Sequence, residues 1–211
     1  ILKVDSSILE VSILSNAFLD MSKSIYEYQQ SLEEKVEQRT KELNIKNEEL
    51  FKLSITDKLT GLYNRVKLDS VLQENMSLSL RYGNIFSVFI IDIDFFKKIN
   101  DNFGHQVGDD VLKECSYILS QNIRNVDTLG RWGGEEFLVV CPETLKDGAK
   151  DLAIKLNKAI KLHKFSTYPH SVTISVGVAS CSVNDLNYDD IISNADKALY
   201  EAKNNGRDRV E

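Results

Sequence analysis

The stretch "IFSVFIIDIDFF" (85–96) decides the fold of this chain, because it predicts a buried central strand that ends in two carboxylates. It is rich in β-branched and aromatic residues and apolar on both faces, which is typical of a strand covered on two sides. Alternate residues of a strand share a face, so we expect Asp92 and Asp94 to point the same way. Carboxylates at the lip of a buried sheet are costly unless they bind a cation or accept hydrogen bonds. This stretch alone leaves two interpretations open, a magnesium site and a strand that ends in a polar turn.

The stretch "DTLGRWGGEEFLVVC" (127–141) predicts a β-hairpin with Gly133–Gly134 as its two-residue loop. Glu135 and Glu136 are then consecutive on a strand, so they face opposite sides and at most one joins Asp92. If the hairpin lies beside the first strand, an aspartate and a glutamate from neighbouring strands converge, an arrangement typical of metal-assisted phosphoryl transfer. We interpret Arg131 and Trp132 as structural, because an aromatic residue before a tight turn usually packs.

The remainder of residues 54–211 alternates helical and strand patterns. A loop over 56–65 leads into a helix that begins near Asn64. Further elements are a strand over 171–180 and three helices, at 108–123, 145–162 and 188–206. The order predicts an α/β domain over 54–211, with a central mixed, largely antiparallel sheet flanked by helices.

Residues 1–53 contain neither Gly nor Pro and predict one long signalling helix that forms a coiled coil. The apolar seam is Val11, Leu14, Phe18, Met21, Ile25, Tyr28 and Leu32. Beyond Leu32 the seam continues only after a four-residue insertion, a stutter that locally unwinds a supercoil. We favour a parallel dimer over a helix packed on its own domain, because about 50 helical residues exceed the length that one small domain can cover. Residues 10–25 also resemble the second helix of a HAMP signalling module, so that 1–30 would be the end of such a module.

Charge and cysteine content limit the class of protein. The formal net charge of −6 argues against binding to a nucleic acid polymer. Cys115, Cys141 and Cys181 show no paired spacing, which favours reduced thiols in the cytoplasm and no zinc site. The sequence shows no signal peptide and no apolar run of the ~20 residues that span a bilayer. Because the chain begins with Ile1, we expect a fragment whose sensor, and any segment anchoring it in the inner membrane, lie outside it.

Residues 54–211 contain five motifs, "DKLTGLYNR" (57–65), "DIDFFKKINDNFGHQVGDDVL" (92–112), "GRWGGEEF" (130–137), "TISVGVA" (173–179) and "ADKALYEAKNNGRDRV" (195–210). Together these motifs resemble a GGDEF domain, the catalytic domain of diguanylate cyclases, in its "GGEEF" form. They occur in the family's order and spacing across essentially the whole segment.

This resemblance implies that two domains meet face to face, each with one bound GTP, and form cyclic di-GMP and two pyrophosphates. By match to the motifs, Asp92, the main-chain carbonyl of Ile93 and Glu135 would ligate two Mg²⁺ or Mn²⁺ ions in each active site. Glu135 would also help to deprotonate the attacking 3′-hydroxyl. Asn100 and Asp109 would bind the guanine edge, since a carboxylate can accept from the guanine N1–H and exocyclic amine.

The resemblance also assigns residues to the β- and γ-phosphates. These are the backbone amides near Phe95 and Phe96, together with Lys97, Lys203 and Arg207. Lys203 and Arg207 lie four residues apart around a helix C-terminus, and could equally satisfy its last carbonyls.

The motif "RNVD" (124–127) has two interpretations. On its own it reads as a helix end and a strand start. In the family, R-x-x-D at this offset forms an inhibitory site for cyclic di-GMP, which Arg124 and Asp127 match. The assisting arginine of the following helix is here Lys155, which keeps the charge but loses the planar fork, so weaker product inhibition is expected.

The sequence therefore predicts a metal-dependent diguanylate cyclase, active as a homodimer that the N-terminal coiled coil controls and inhibited by its own product. The alternative is a catalytically silent signalling module that binds GTP or cyclic di-GMP. The presence of Asp92, Glu135, Asn100, Asp109 and Lys97 argues against that alternative.

Overall fold

The structure is a computed structural model that describes residues 2–181, 185 and 187–211, with the backbone alone for residues 2–7 and 48. The chain divides into two compact units, residues 1–51 and Lys52–Glu211. Within the described ranges, no helix combines the length and the apolar character that crossing a bilayer requires.

The N-terminal unit is one helix, as the sequence predicts. Helix α1 runs over Leu2–Ile55, without a break where the predicted stutter falls. The apolar side chains from Val11 to Leu32 that form the predicted seam are between 49% and 72% exposed. An apolar stripe of this length on a single helix needs a covering partner.

Among the described residues of the second unit, four strands form one sheet, in the order β2-β3-β1-β4. They are β1 (Phe86–Ile93), β2 (Thr128–Gly133), β3 (Glu136–Pro142) and β4 (Ile174–Ser180). The predicted α/β class is confirmed, and the three strand pairs are all antiparallel. Parallel pairing is confined, among the described residues, to isolated bridges such as Val176 with Val210. Strand β1 lies inside the sheet and is buried at every position, so the predicted central strand is confirmed.

In the part of the chain that the structure describes, five helices cover the two faces of this sheet. They are α2 (Arg65–Tyr82), α3 (Phe96–Phe103), α4 (His105–Asn122), α5 (Lys146–Leu162) and α6 (Tyr188–Asn204). One apolar core joins the sheet to α3, α4 and α5, and a second joins it to α2 and α6. The sequence did not predict α3. It begins directly after β1 because the chain turns at Phe95, which has a positive φ of 59°.

Helix α6 packs unusually close to β4 at Gly177. A Cβ atom there would lie 2.1 Å from the carbonyl oxygen of Ala195 and 2.2 Å from the nitrogen of Leu199. Only a residue without a side chain permits this approach. The close contact fixes the distance of α6 from the sheet and brings its last turn to the end of β1, where the polar residues gather.

Candidate active site

The tip of the β2–β3 hairpin differs from the prediction. Its two-residue loop is Gly134–Glu135 rather than Gly133–Gly134, because Gly133 still pairs with Glu136. Gly134 has a φ of 47°, a conformation that favours glycine. The expectation that Glu135 lies on a strand is therefore wrong, and strand alternation does not determine its direction.

Glu136 is the residue that stands directly opposite Asp92 across the β1–β3 ladder. The Asp92 side chain is nearly buried, and its Oδ2 lies 2.8 Å from Nζ of Lys203 on α6. Burial raises the pKa of the Asp92 carboxyl; Lys203 opposes this, and the charges of Glu135 and Asp94 add to it. Burial, and next the charge of Asp92, raise the pKa of the Glu136 carboxyl as well.

These carboxylates fit the hard-oxygen chemistry of magnesium. Asp92, Glu135 and Glu136 repel one another at one end of the sheet, and a bound cation would relieve that repulsion. Among the residues that the structure describes, no three His, Cys, Asp or Glu side chains are already arranged around a common point. A set of two carboxylates and the Ile93 carbonyl would leave the other positions to water and phosphate oxygens, as Mg²⁺ usually requires.

Arg131 ties this hairpin to the start of the domain. Its Nε and Nη2 donate to the carbonyl oxygen of Gly134 at 2.9 and 2.8 Å. Its Nη1 donates to both carboxylate oxygens of Asp57, at 3.2 and 3.3 Å. Burial opposes the effect, but hydrogen bonds from Thr60 and the Arg131 guanidinium lower the pKa of the Asp57 carboxyl. The sequence predicted only a structural role for Arg131, whereas its side chain holds the loop that carries Glu135.

Trp132 behaves as the sequence predicts. It is half-buried and packs against the core between the sheet, α2 and α6. The guanidinium carbon of Arg65 lies 4.4 Å from its ring centroid, a cation–π contact. This contact fixes the base of the hairpin.

A pocket of about 470 Å³ opens beside Arg131. Its lining includes Phe96, Lys97, Asn100, Asp109, Gly134 and Glu135. The volume is in the range of pockets that hold nucleotide-sized ligands. The structure therefore brings the residues predicted for guanine into the same pocket as the predicted catalytic glutamate.

The position of Asn100 depends on Gly108, in the first turn of α4. A Cβ atom at Gly108 would lie 1.9 Å from the Asn100 side-chain oxygen. The amide of Asn100 thus lies against the α4 backbone, one residue before Asp109. This contact places both predicted guanine ligands together, although they come from different helices.

Some of the residues predicted to bind the phosphates contact one another. The Arg207 guanidinium carbon lies 4.6 Å from the Phe95 ring centroid, and its Nη1 donates to the carbonyl oxygen of Lys203 at 3.4 Å. Lys97 is exposed on α3. Lys203 pairs with Asp92. Both interpretations of Arg207 therefore remain, because it satisfies a helix carbonyl and also lies beside the β1–α3 loop.

The residues of the predicted inhibitory site lie around the C-terminal end of α4. Asp127 Oδ2 accepts a hydrogen bond from the main-chain nitrogen of Arg124 at 3.0 Å, and its side chain is nearly buried. The Arg124 residue is exposed. Lys155 Nζ donates to the carbonyl oxygen of Asn122 at 3.0 Å. The three residues thus lie near one another, and the Asp127 carboxylate accepts a hydrogen bond from the backbone of the turn to which it belongs.

Comparison with known proteins gives one family. Residues 54–209 match the model of the family described as "Diguanylate cyclase, GGDEF domain". The chain is 37% identical over 201 residues to Diguanylate cyclase A of Treponema denticola, which covers 93% of this chain and 52% of that protein. The chain spans about half or less of the length of the curated relatives it matches first.

Two solved structures are similar over most of the chain. One is the coiled coil and GGDEF domain of DgcB from Caulobacter crescentus in complex with c-di-GMP, with a TM-score of 0.78 and 28% identity. The match covers 85% of this chain and 98% of that one. The other is the active GGEEF domain of a diguanylate cyclase from Vibrio cholerae, with a TM-score of 0.67, 36% identity, and coverage of 70% and 94%.

Proposed function

The chain belongs to the GGDEF domain family of diguanylate cyclases, and from this premise we propose that it condenses two GTP molecules into cyclic di-GMP and two pyrophosphates. The observation that carries the proposal is the pocket that unites Asn100, Asp109 and Lys97 with Glu135, beside the buried carboxylate of Asp92. A silent binding module would need the guanine ligands, but not this set of carboxylates.

Guanine recognition rests on Asn100 and Asp109. The Asp109 carboxylate accepts from guanine N1–H and the exocyclic amine, whereas adenine offers no such pair of donors. The Asn100 amide supplies a donor and an acceptor for the same edge. The backbone near Phe95 and Phe96, with Lys97, Lys203 and Arg207, holds the β- and γ-phosphates. Lys203 reaches them from its place beside Asp92 by a rotation of its flexible side chain.

The reaction joins two half-sites. The 3′-hydroxyl oxygen of one GTP attacks the α-phosphorus of the other, the bond from that phosphorus to the pyrophosphate oxygen breaks, and pyrophosphate leaves. Glu135 accepts the hydroxyl proton as the new bond forms. The 3′-hydroxyl oxygen of the second GTP attacks the α-phosphorus of the first in the same way, which releases the second pyrophosphate and closes the ring. Two GTP thus give one cyclic di-GMP and two pyrophosphates.

Asp92, the Ile93 carbonyl and Glu135 are the residues that would hold divalent cations. Two Mg²⁺ or Mn²⁺ ions per active site would neutralise the phosphate charge that develops during the displacement. Burial, together with the charges of neighbouring carboxylates, raises the pKa of the Asp92 and Glu136 carboxyls, and a cation at this end of the sheet would favour their charged forms.

Helix α1 provides the dimer that the reaction needs. We assign the exposed stripe from Val11 to Leu32 to a parallel coiled coil with a second copy of the chain. A change of register at the stutter near Gln29–Glu34 would then control whether the two catalytic faces meet. The resemblance of residues 1–30 to part of a HAMP module remains a prediction of the same kind.

Product inhibition is the remaining part of the proposal. The exposed Arg124 would contact cyclic di-GMP, Asp127 would have to release its own turn to bind a guanine edge, and Lys155 would supply charge without a fork. The need to break the Asp127 hydrogen bond and the lack of a planar fork in Lys155 both favour weak inhibition. We place the site of action in the cytoplasm, where GTP is available, and the cysteine spacing, which favours reduced thiols, supports this compartment.

The test of the proposal is nucleotide turnover by the whole chain with Mg²⁺ and either GTP or ATP. We expect a cyclic dinucleotide from GTP alone, and a specific activity that falls on dilution as dimers dissociate. Binding of GTP without any turnover would instead favour the silent module.

A further inference from the structure

The buried carboxylate of Asp94 accepts hydrogen bonds from residues that are far from it in the sequence. It is 4% exposed, although it lies two residues beyond Asp92. Its Oδ1 accepts from the Ser175 hydroxyl at 2.6 Å, and its Oδ2 accepts from the Thr173 hydroxyl at 2.7 Å. Both oxygens are therefore engaged by β4 and the residue before it, away from the role of a metal ligand.

A third hydrogen bond connects Asp94 to the end of the chain. The main-chain nitrogen of Asp208 donates to Asp94 Oδ2 at 3.1 Å. Asp208 follows Arg207, and both have positive φ angles, 64° for Arg207 and 50° for Asp208. Neighbouring non-glycine residues in this region are strained, and such a turn persists only where its surroundings hold it. The Asp94 side chain is buried and accepts a hydrogen bond from the backbone of this turn.

The same turn carries Arg207 to the loop that follows β1. The Arg207 guanidinium stacks on the ring of Phe95, the residue after Asp94. Phe95 also has a positive φ, of 59°. One carboxylate thus joins two strained loops, the β1–α3 loop and the loop after α6, at the place where the proposed function puts the terminal phosphates.

We propose that Asp94 is a positioning residue for GTP, which holds the Arg207–Asp208 turn against the β1–α3 loop so that Arg207 meets the β- and γ-phosphates. The inference rests on the proposed function, because it assumes that a nucleoside triphosphate occupies this end of the sheet. It assigns Asp94 no contact with substrate. Asp94 acts on GTP through Arg207 alone. Its replacement should therefore leave the affinity for GMP unchanged, because GMP lacks the two terminal phosphates.

The test compares the binding of GTP and GMP, each with Mg²⁺, by the whole chain and by Asp94→Ala, Asp94→Asn and Arg207→Ala. We expect Asp94→Ala to weaken GTP binding about tenfold, the loss of one charge-assisted contact, and to leave GMP binding unchanged. Asp94→Asn should fall between Asp94→Ala and the wild type. Its amide oxygen can still accept from Asp208, and its NH₂ can donate to the Ser175 hydroxyl.

Two further measurements separate positioning from general damage. In the Arg207→Ala background, Asp94→Ala should cause no additional loss of GTP affinity, because the two residues act as one unit. Thermal unfolding of each variant checks that it folds, and Thr173→Val, which leaves the Asp208 contact, should change GTP binding less than Asp94→Ala.

Three outcomes would overturn the inference. They are an equal loss of GTP and GMP affinity, a full additional loss in the Arg207→Ala background, or unchanged GTP binding in Asp94→Ala. These outcomes differ from failure of the proposed function, in which the wild type itself would bind no GTP.

Discussion

Asp92 and Glu136 stand directly opposite each other across the β1–β3 ladder, so the like charges of two carboxylates share one face of the sheet. Facing like charges destabilise a strand pair. Burial, and next the charge of Asp92, raise the pKa of the Glu136 carboxyl, whereas burial and the charges of Glu135 and Asp94 raise the pKa of the Asp92 carboxyl against the effect of Lys203. This end of the sheet is therefore arranged for positive charge, which Lys203 supplies in part.

Glu136→Gln should stabilise the metal-free protein. The substitution keeps the shape of the side chain but removes one of the two facing charges, and we expect the free energy of unfolding to rise by about 0.5 kcal/mol. Urea unfolding with a chelator measures the change. Glu74→Gln, at an exposed position on α2, is the matched control and should have no effect. A destabilised Glu136→Gln protein would show that the facing pair is not repulsive.

Arg131→Ala should reduce both stability and activity. It removes the donors to the Gly134 carbonyl and the ion-pair partner of Asp57, which keeps its hydrogen bonds from Thr60, and this should cost about 1–3 kcal/mol of unfolding free energy. Activity should fall further than stability explains, because the loop that carries Glu135 is no longer held.

The matched variant for Arg131 is Asp57→Asn. It removes the ion pair and keeps the two bonds from Arg131 to Gly134, so turnover should fall less than in Arg131→Ala. Equal turnover losses in the two variants would assign the effect to the ion pair rather than to the clamp on the loop.

Gly108→Ala should impair nucleotide binding with little loss of fold. The new methyl group would lie 1.9 Å from the Asn100 oxygen, so the Asn100 side chain must move. We expect the KM for GTP to rise by about one to two orders of magnitude, since small displacements of positioning groups have effects of this size.

Gly148→Ala is the control for Gly108→Ala, because it is also in the first turn of a helix. Its Cβ would meet only the Thr144 methyl at 3.5 Å, an ordinary contact. KM should stay unchanged and stability should rise slightly, as for other glycine replacements within helices. If both variants bind GTP like the wild type, Asn100 does not contribute to the site.

Glu114 should make stability depend on acid pH. It accepts hydrogen bonds from the backbone nitrogen and hydroxyl of Ser166, and lies 2.9 Å from Nε2 of His163. Burial opposes the shift, but Ser166 and then His163 lower the pKa of the Glu114 carboxyl below its ordinary value of 4.5. A lowered pKa in the folded state adds stability above that ordinary value, and this stability is lost as pH falls through the folded-state pKa.

The variant Glu114→Gln tests this dependence. At neutral pH it should lower the free energy of unfolding by about 1 kcal/mol, the value of one hydrogen bond to a charged group at a partly exposed site. The difference from wild type should shrink progressively below pH 4.5. A difference that stays constant down to pH 2 would show that the Glu114 charge does not contribute.

The sequence predicts the elements of this fold well where periodicity is strong. Strand β1 and helices α2, α4, α5 and α6 lie close to their predicted positions, because each has a clear apolar pattern. The short helix α3 was not predicted because it depends on a left-handed residue, Phe95, that no local pattern reveals.

The candidate site shows where local reasoning ends. Glu135 was placed on a strand because Gly133–Gly134 looked like a complete loop, whereas the hairpin turns one residue later. The contact of Arg131 with Asp57 joins residues 74 positions apart, and that of Asp94 with Asp208 joins residues 114 apart. Contacts of this kind depend on how the helices and strands pack against one another. The spacing of residues along the chain does not reveal that packing.

The most direct test of the account is the stoichiometry of the reaction. The whole chain is incubated with GTP and Mg²⁺, and cyclic di-GMP and pyrophosphate are quantified alongside Glu135→Gln and the surface control Glu74→Gln. We predict two pyrophosphates for each cyclic di-GMP from the wild type and from Glu74→Gln, and no product from Glu135→Gln. Absence of cyclic di-GMP from the wild type, or undiminished product from Glu135→Gln, would contradict the account.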